Sequence, residues 1–286
     1  FRHVALLLAS CVAICTVFNG ASLRSAESSP PSFCISRPAD ATWTNVVRGR
    51  FAVWYVRSDN ALAARAAGLA DMLSGTALKR LSFMLPALTD QQADCGDGGT
   101  PNQLDFYLVK GLRVAFKKVD GNTYPQRISG VKGASGFVEI DSGLADLNFL
   151  CTGVHEYFHL LQDRFGVPFP KNYWWTEATA VWAEHYVEPD CPRPLQKADA
   201  FMSKYSRQEL REIDDPYAPW LWPLWIERHA GGPSAIRDVF AEFLTHGEDY
   251  DAARAISARI WNEQLPRFAL RQFNLGVVDE FTRVKA

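Results

Sequence analysis

Five consecutive residues carry the clearest chemistry in the chain: His155-Glu156-Tyr157-Phe158-His159. On a helix, residues four apart share a face, so both imidazoles can reach one metal ion. Glu156 sits one step round, where a carboxylate can hold a water and take its proton. Zinc with three protein ligands keeps a fourth position for that water and lowers its pKa toward about 7. The flanking Phe149, Leu150, Val154, Tyr157, Phe158, Leu160 and Leu161 make this helix apolar almost all round, which predicts burial. Two imidazoles and a carboxylate in such a helix are costly to bury without a partner such as a metal.

A third ligand must follow. One known extension of the motif needs Gly three residues after His159 and His six after, but Gln162 and Phe165 stand there. The alternative is a glutamate on a second helix. The segment Trp174-Trp175-Thr176-Glu177-Ala178-Thr179-Ala180-Val181-Trp182-Ala183-Glu184 supplies Glu177, far enough on for a loop and a return helix. Small Ala178, Ala180 and Ala183 let that helix approach the first closely. Glu184, two turns beyond Glu177, falls close to the same face. It can orient a ligand histidine, form a surface ion pair, or replace Glu177 as third ligand. His185 points elsewhere.

His155 to His159 followed by Trp174-Trp175-Thr176-Glu177-Ala178 resembles the gluzincin peptidases, the group with thermolysin, the M1 aminopeptidases and bacterial collagenases. The close match covers about 155–187, and the order of elements extends it loosely over most of the chain. The resemblance implies one zinc ion per chain held by His155, His159 and Glu177, with Glu156 as general base. It implies an α+β, zincin-like fold, with a small mixed sheet and the motif helix in the N-terminal half and an all-helical C-terminal half. Gly136, Phe137 and Val138 would belong to an edge strand along which an extended peptide adds itself to the sheet. A Tyr or His from the C-terminal half would stabilise the developing oxyanion. Tyr217, in Asp215-Pro216-Tyr217-Ala218-Pro219-Trp220, is the candidate, with His229, His246 and Tyr205 as competitors.

The chain also departs from these families. The exopeptidase signature Gly-x-Met-Glu-Asn is absent, and Val181 replaces the Asp that thermolysin-type enzymes carry four residues after the glutamate ligand. Glu184 is the candidate for that Asp's orienting role. The reading is a secreted zinc peptidase, endopeptidase rather than exopeptidase, acting on a peptide or protein substrate. The alternative is a catalytically inactive zincin-like domain that binds a peptide or partner. The same site could also serve a non-peptide amide or ester.

The elements that must position these residues are legible in outline. Phe51 to Val56, Leu104 to Val109 and Gly136 to Ile140 read as strands. Ser58 or Asp59 caps a helix in which Leu62, Ala66, Leu69 and Leu73 recur at spacings of three and four, ending near Pro86. Helical patterns follow at about 174–187, 195–205, 218–230, 233–245 and 251–263. The 286 residues, 48% hydrophobic and 22% charged, suffice for one large domain or two subdomains sharing a cleft. A boundary is expected between a catalytic part at 41–190 and a helical part at 191–286. The nine tryptophans read mostly as core. A net charge of −2, without basic block or acidic tail, points to neither nucleic acid nor an anionic membrane.

Arg2 and His3 followed by an apolar run from Val4 to Phe18 have the shape of a secretory signal, too short for a comfortable membrane span. A signal over 1–26 and a linker over 27–40 are expected, and with them a secreted or cell-envelope location without stable membrane insertion. Cys34, Cys95, Cys151 and Cys191 then suggest two disulfides, and Cys151 with Cys191 is the favoured pair because the two flank the motif region.

Overall fold

Alternating apolar residues in the N-terminal half form a five-stranded mixed sheet. The computed structural model describes residues 37–38, 42–84, 103–126, 135–167, 171–205, 214–246 and 251–256. All of these belong to one compact unit, Pro31–Ala286. The expected signal, most of the linker, Cys34, Cys95 and the helical stretch beyond Ile256 lie outside the described residues.

The strands are β1 (Trp43–Arg48), β2 (Phe51–Val56), β3 (Leu104–Val109), β4 (Arg113–Val114), β5 (Lys117–Lys118), β6 (Gly121–Gln126) and β7 (Ser135–Asp141). The large sheet has the order β1-β2-β3-β7-β6, and β4 pairs with β5 alone. β2, β3 and β7 run parallel, while β1 and β6 are antiparallel to their neighbours. Register puts Phe51, Val53, Leu104, Phe106, Leu108, Val138 and Ile140 on one face, where they join the main core. The other face carries Trp54, Tyr107, Phe137 and Tyr124 in successive ring contacts. There Asp105, fully buried, pairs with Arg37 at 2.5 Å and accepts the Trp54 indole N–H at 2.6 Å.

Helix α1 (Asn60–Met72) begins where Asp59 accepts from the Ala61 and Leu62 amides, a cap that contributes about 1 kcal/mol. It buries Leu62, Ala66, Leu69 and Ala70, then continues through a π turn at Leu73–Ala77. Helix α2 (Asp146–Asp163) packs against β6 and β7 and against helix α3 (Tyr173–Val187). Gly153 allows α2 its approach to α1, since a Cβ there would lie 2.3 Å from Leu69 Cδ1.

The C-terminal half is helical: α4 (Pro192–Ala200), α5 (Leu221–His229), α6 (Pro233–His246) and α7 (Ala252–Ile256). Trp174, Trp175, Trp220, Trp222 and Trp225 are all buried, as their expected core role requires. A Cys151–Cys191 disulfide ties α2 to the start of α4. The α+β class is therefore as expected. No helix among the described residues is long and apolar enough to cross a membrane.

One expectation fails on topology. The strand holding Gly136, Phe137 and Val138 is interior, hydrogen-bonded to β3 on one side and β6 on the other. Its backbone is committed to neighbours, and a Cβ at Gly136 would stand 2.2 Å from the Tyr124 carbonyl oxygen. Phe137 stacks on Tyr124 on the face away from α2. The edge position on this side belongs to β6. Its sequence, Gly-Asn-Thr-Tyr-Pro-Gln, is weak in strand formers, and its Pro is a residue that sheets tolerate at an edge.

The small β4–β5 hairpin was also illegible. Its two turn residues, Ala115 and Phe116, both have positive φ, 47° and 67°. Asn-Gly is the usual choice there, and each ordinary L-residue costs about 1–2 kcal/mol in this region.

Candidate metal centre

Helix α2 presents His155 and His159 on one face, and α3 brings Glu177 opposite them. Glu177 Oε2 lies 3.2 Å from His155 Nε2 and 3.6 Å from His159 Nε2. His155, His159 and Glu177 offer ligand atoms all within 4.8 Å of one another and can hold a metal ion. The close approach rests on α3's small residues, since Ala178, Ala180 and Ala183 are fully buried.

Each histidine is held by its other nitrogen. His155 Nδ1 is 2.7 Å from Glu184 Oε1; a carboxylate only accepts, so Nδ1 carries the proton and Nε2 faces the centre. His159 Nδ1 is 2.7 Å from Gln162 Oε1. The Gln162 amide nitrogen donates to the Thr176 carbonyl and to Thr179 Oγ1, both at 2.9 Å, so the amide oxygen is the atom turned toward His159. Once the Nε2 proton is displaced, both imidazoles therefore have the tautomer and orientation that metal ligands need. Two nitrogens and one carboxylate are a zinc donor set.

Glu184 is fully buried and is itself held by Arg193, whose NH1 donates to Glu184 Oε1 at 2.6 Å. NH2 of Arg193 reaches Asp120 at 3.1 Å and Thr152 Oγ1 at 3.3 Å. The disulfide fixes the start of α4 two residues before Arg193, so a relay runs from Arg193 through Glu184 to His155. Arg193→Met is expected to strand the buried Glu184 charge and lower metal affinity ten- to hundredfold, read by competition with a chelator. Unchanged affinity would show that Glu184 needs no cation to hold His155.

The Thr123 hydroxyl on β6 donates to Glu156 Oε2 at 2.8 Å. Gly121 makes this contact between β6 and α2 possible, because a Cβ there would come within 2.7 Å of Glu156 Cγ. Tyr217 sits with its ring centroid 5.9 Å from that of His155. Tyr217 and Tyr173 interact with each other and with Glu177. Burial and the nearby Glu177 charge raise both phenols, Tyr173 to about 12, so both remain protonated donors at neutral pH. Of the competitors, His229 packs on Trp225 and His246 pairs with Glu242; neither lines the cleft. The Tyr205 side chain lies outside the described residues. His185 packs against Trp220, away from the centre.

The charges converge on a cation. Burial alone would favour neutral imidazoles. Hydrogen bonds to Glu177 and Glu184 outweigh it for His155, and the Glu177 and Glu156 charges help push His159 up to about 10. Burial would likewise raise Glu177, but the two histidines hold it well below the usual carboxylate range.

Without metal, the raised His159 stabilises the fold fully below its unfolded pKa of about 6.5, and that stability fades as pH climbs toward 10. A metal ion must displace this proton. Apparent metal affinity is therefore expected to rise at least about tenfold per pH unit through neutrality, measured with a metal indicator. A flat profile would contradict protonated imidazoles at the centre.

Compared with protein-family models, with curated proteins and with solved structures, the chain matches none. Its functional reading rests on the site alone.

The site opens into a cleft of about 870 Å³, lined by Gly121, Asn122, Thr123 and Pro125 of β6, by the histidines and glutamates, and by Tyr173, Arg193 and Tyr217. Gly136, Phe137 and Val138 do not line it. Sequence reasoning missed Gln162, Arg193, Thr123 and Tyr173. Gln162 had a signal, standing three residues after His159 and so on the same helical face. Arg193, Thr123 and Tyr173 had none, because each reaches the site through tertiary folding.

Proposed function

We propose that this chain is an exported zinc-dependent peptidase of the gluzincin kind, with His155, His159 and Glu177 as ligands and Glu156 as general base. The observation that carries the reading is that both Nε2 atoms and the Glu177 carboxylate converge beside Glu156, in the wall of a cleft bordered by an edge strand. Zinc held there would polarise a scissile carbonyl and lower the pKa of water toward about 7.

The remaining work falls to the chain's own residues. Glu156, oriented by Thr123, takes a proton from the attacking water and passes it to the leaving amine. Tyr217, protonated and adjacent to His155, donates to the oxygen on which charge develops. An extended peptide lies along β6, pairing with its outer edge as a further antiparallel or parallel strand. Gly121, Asn122, Thr123 and Pro125 are then the residues it meets, in place of Gly136, Phe137 and Val138.

An edge strand suits a chain that passes through the cleft and supports endopeptidase action over hydrolysis of a small ester. The Cys151–Cys191 disulfide supports an oxidising, extracytoplasmic location. The test is metal analysis of the purified protein followed by hydrolysis of a mixture-based peptide library, with Glu156→Gln as the blank. About one zinc per chain and cleavage that the variant lacks is the expected result. A zinc-free wild type that stays empty on reconstitution defeats the proposal. A zinc-loaded protein that cleaves nothing beyond the blank leaves the metal site but removes the peptidase.

A further inference from the structure

The tip of the β4–β5 hairpin, Val114 to Lys117, belongs to neither the core nor the cleft of the metal centre, yet its sequence is costly. Both turn residues hold positive φ without being glycine or asparagine. The side chain displayed at this cost is Phe116, 94% exposed, where every other exposed large hydrophobic among the described residues lies at 40% or below. Arg113 NH1 donates to the Phe116 carbonyl at 3.0 Å and braces the turn in this conformation. Strain held in place for an exposed aromatic ring points to a use for that ring.

Four exposed cations lie within six residues of it in the chain: Lys110, Arg113, Lys117 and Lys118. Between residues 110 and 120 the only acidic side chain is Asp120, although the whole chain carries a net charge of −2. The hairpin is thus a local basic prong on a weakly acidic protein, which the overall charge balance concealed. Lys118 also contacts Asp141 at 3.7 Å but keeps 67% of its side chain exposed.

We propose that this hairpin docks the protein on an anionic phospholipid surface. Phe116 enters the boundary between headgroups and acyl chains, and the four cations face the lipid phosphates. A protein partner would need a contiguous patch or groove, whereas this feature is one exposed ring in the turn of a short hairpin that carries cations on its strands. A bilayer needs no more than that: an apolar wedge for the interface and several cations for the surface potential. The attachment is peripheral and reversible, and it requires no membrane-crossing helix. β5 ends in Lys118, and Lys118 to Asn122 line the cleft, so docking would hold the cleft close to the bilayer. The inference goes beyond the metal-site reading and does not depend on it.

The test is co-sedimentation of the full chain with vesicles of equal parts phosphatidylcholine and phosphatidylglycerol, against pure phosphatidylcholine, at low and physiological salt. Expected is retention on the anionic vesicles alone, weakened by salt. Phe116→Ser should reduce partitioning by on the order of tenfold or more. Lys117→Gln combined with Lys118→Gln should do so by a similar factor. A double replacement of Ala115→Asn with Phe116→Gly keeps the hairpin and relieves its turn, so it should raise the unfolding midpoint while abolishing retention. Glu156→Gln should partition like wild type, which separates this result from the fate of the peptidase proposal. Absence of retention at low salt, or retention that Phe116→Ser leaves unchanged, overturns the inference.

Discussion

Glu177→Ala is expected to strip the protein of its metal. Glu177 is the only carboxylate among the described residues grouped with both Nε2 atoms, 3.2 and 3.6 Å away, and it is 7% exposed. Three protein ligands are the minimum for a zinc site that keeps an open position, and two imidazoles alone bind far more weakly. Structural zinc sites with four ligands hold the ion by about 10–16 kcal/mol, so an equal share per ligand is roughly 2.5–4 kcal/mol, a loss of about a hundred- to a thousandfold. Zinc content after dialysis against a mild chelator should fall from about one per chain to near zero. Glu184→Ala serves as the comparison. Glu184 holds His155 from behind at 2.7 Å, so its loss should cost only ten- to hundredfold. A reversed order, with Glu184→Ala the more damaging, would make Glu184 the ligand.

Glu156→Gln is expected to leave the metal in place and abolish turnover. The amide matches the carboxylate in shape and can still accept from Thr123, so α2 and β6 keep their contact. It cannot take a proton. Loss of a general base costs about a hundred- to ten-thousandfold, and no other carboxylate faces the cleft from the same turn of α2. Cleavage of the best library peptide should therefore fall to the lower end of detection while zinc content stays at about one per chain. Equal cleavage by variant and wild type would mean that Glu156 is not the base. Loss of zinc in the variant would mean that its main role is structural.

The two variants separate the halves of the proposal. Glu177→Ala asks whether a metal is held, and Glu156→Gln asks whether that metal performs hydrolysis. Arg193→Met tests the relay behind His155, and the pH profile of metal affinity tests the protonation that the clustered carboxylates impose.

Much of this site was legible in residue spacing. The interval between His155 and His159 decides that both rings leave one face of a helix, whatever surrounds it. The interval from Glu177 to Glu184 places two carboxylates on one side of α3, and the structure uses both, one at the centre and one behind His155. Burial of α2 followed from its apolar flanks. These are local properties, in which chain geometry and composition leave few alternatives.

What the sequence could not show was which strand stands at the edge. Val138 and Ile140 read as a strand on any count, but strand order depends on partners distant in the chain. Gly121 to Gln126 lacks the β-branched pattern that announces a strand, and it is ordered by pairing with β7 and by contact with α2. The same holds for Arg193 and Thr123, which reach the site from α4 and β6 with no periodicity linking them to His155 or Glu156. Residue types and helical spacing determined by themselves which groups can bind a metal and move a proton. Only the tertiary structure decided which strand stands at the edge beside the site and which side chains hold those groups still, because edge position and long-range hydrogen bonds come from packing between segments that no local pattern connects.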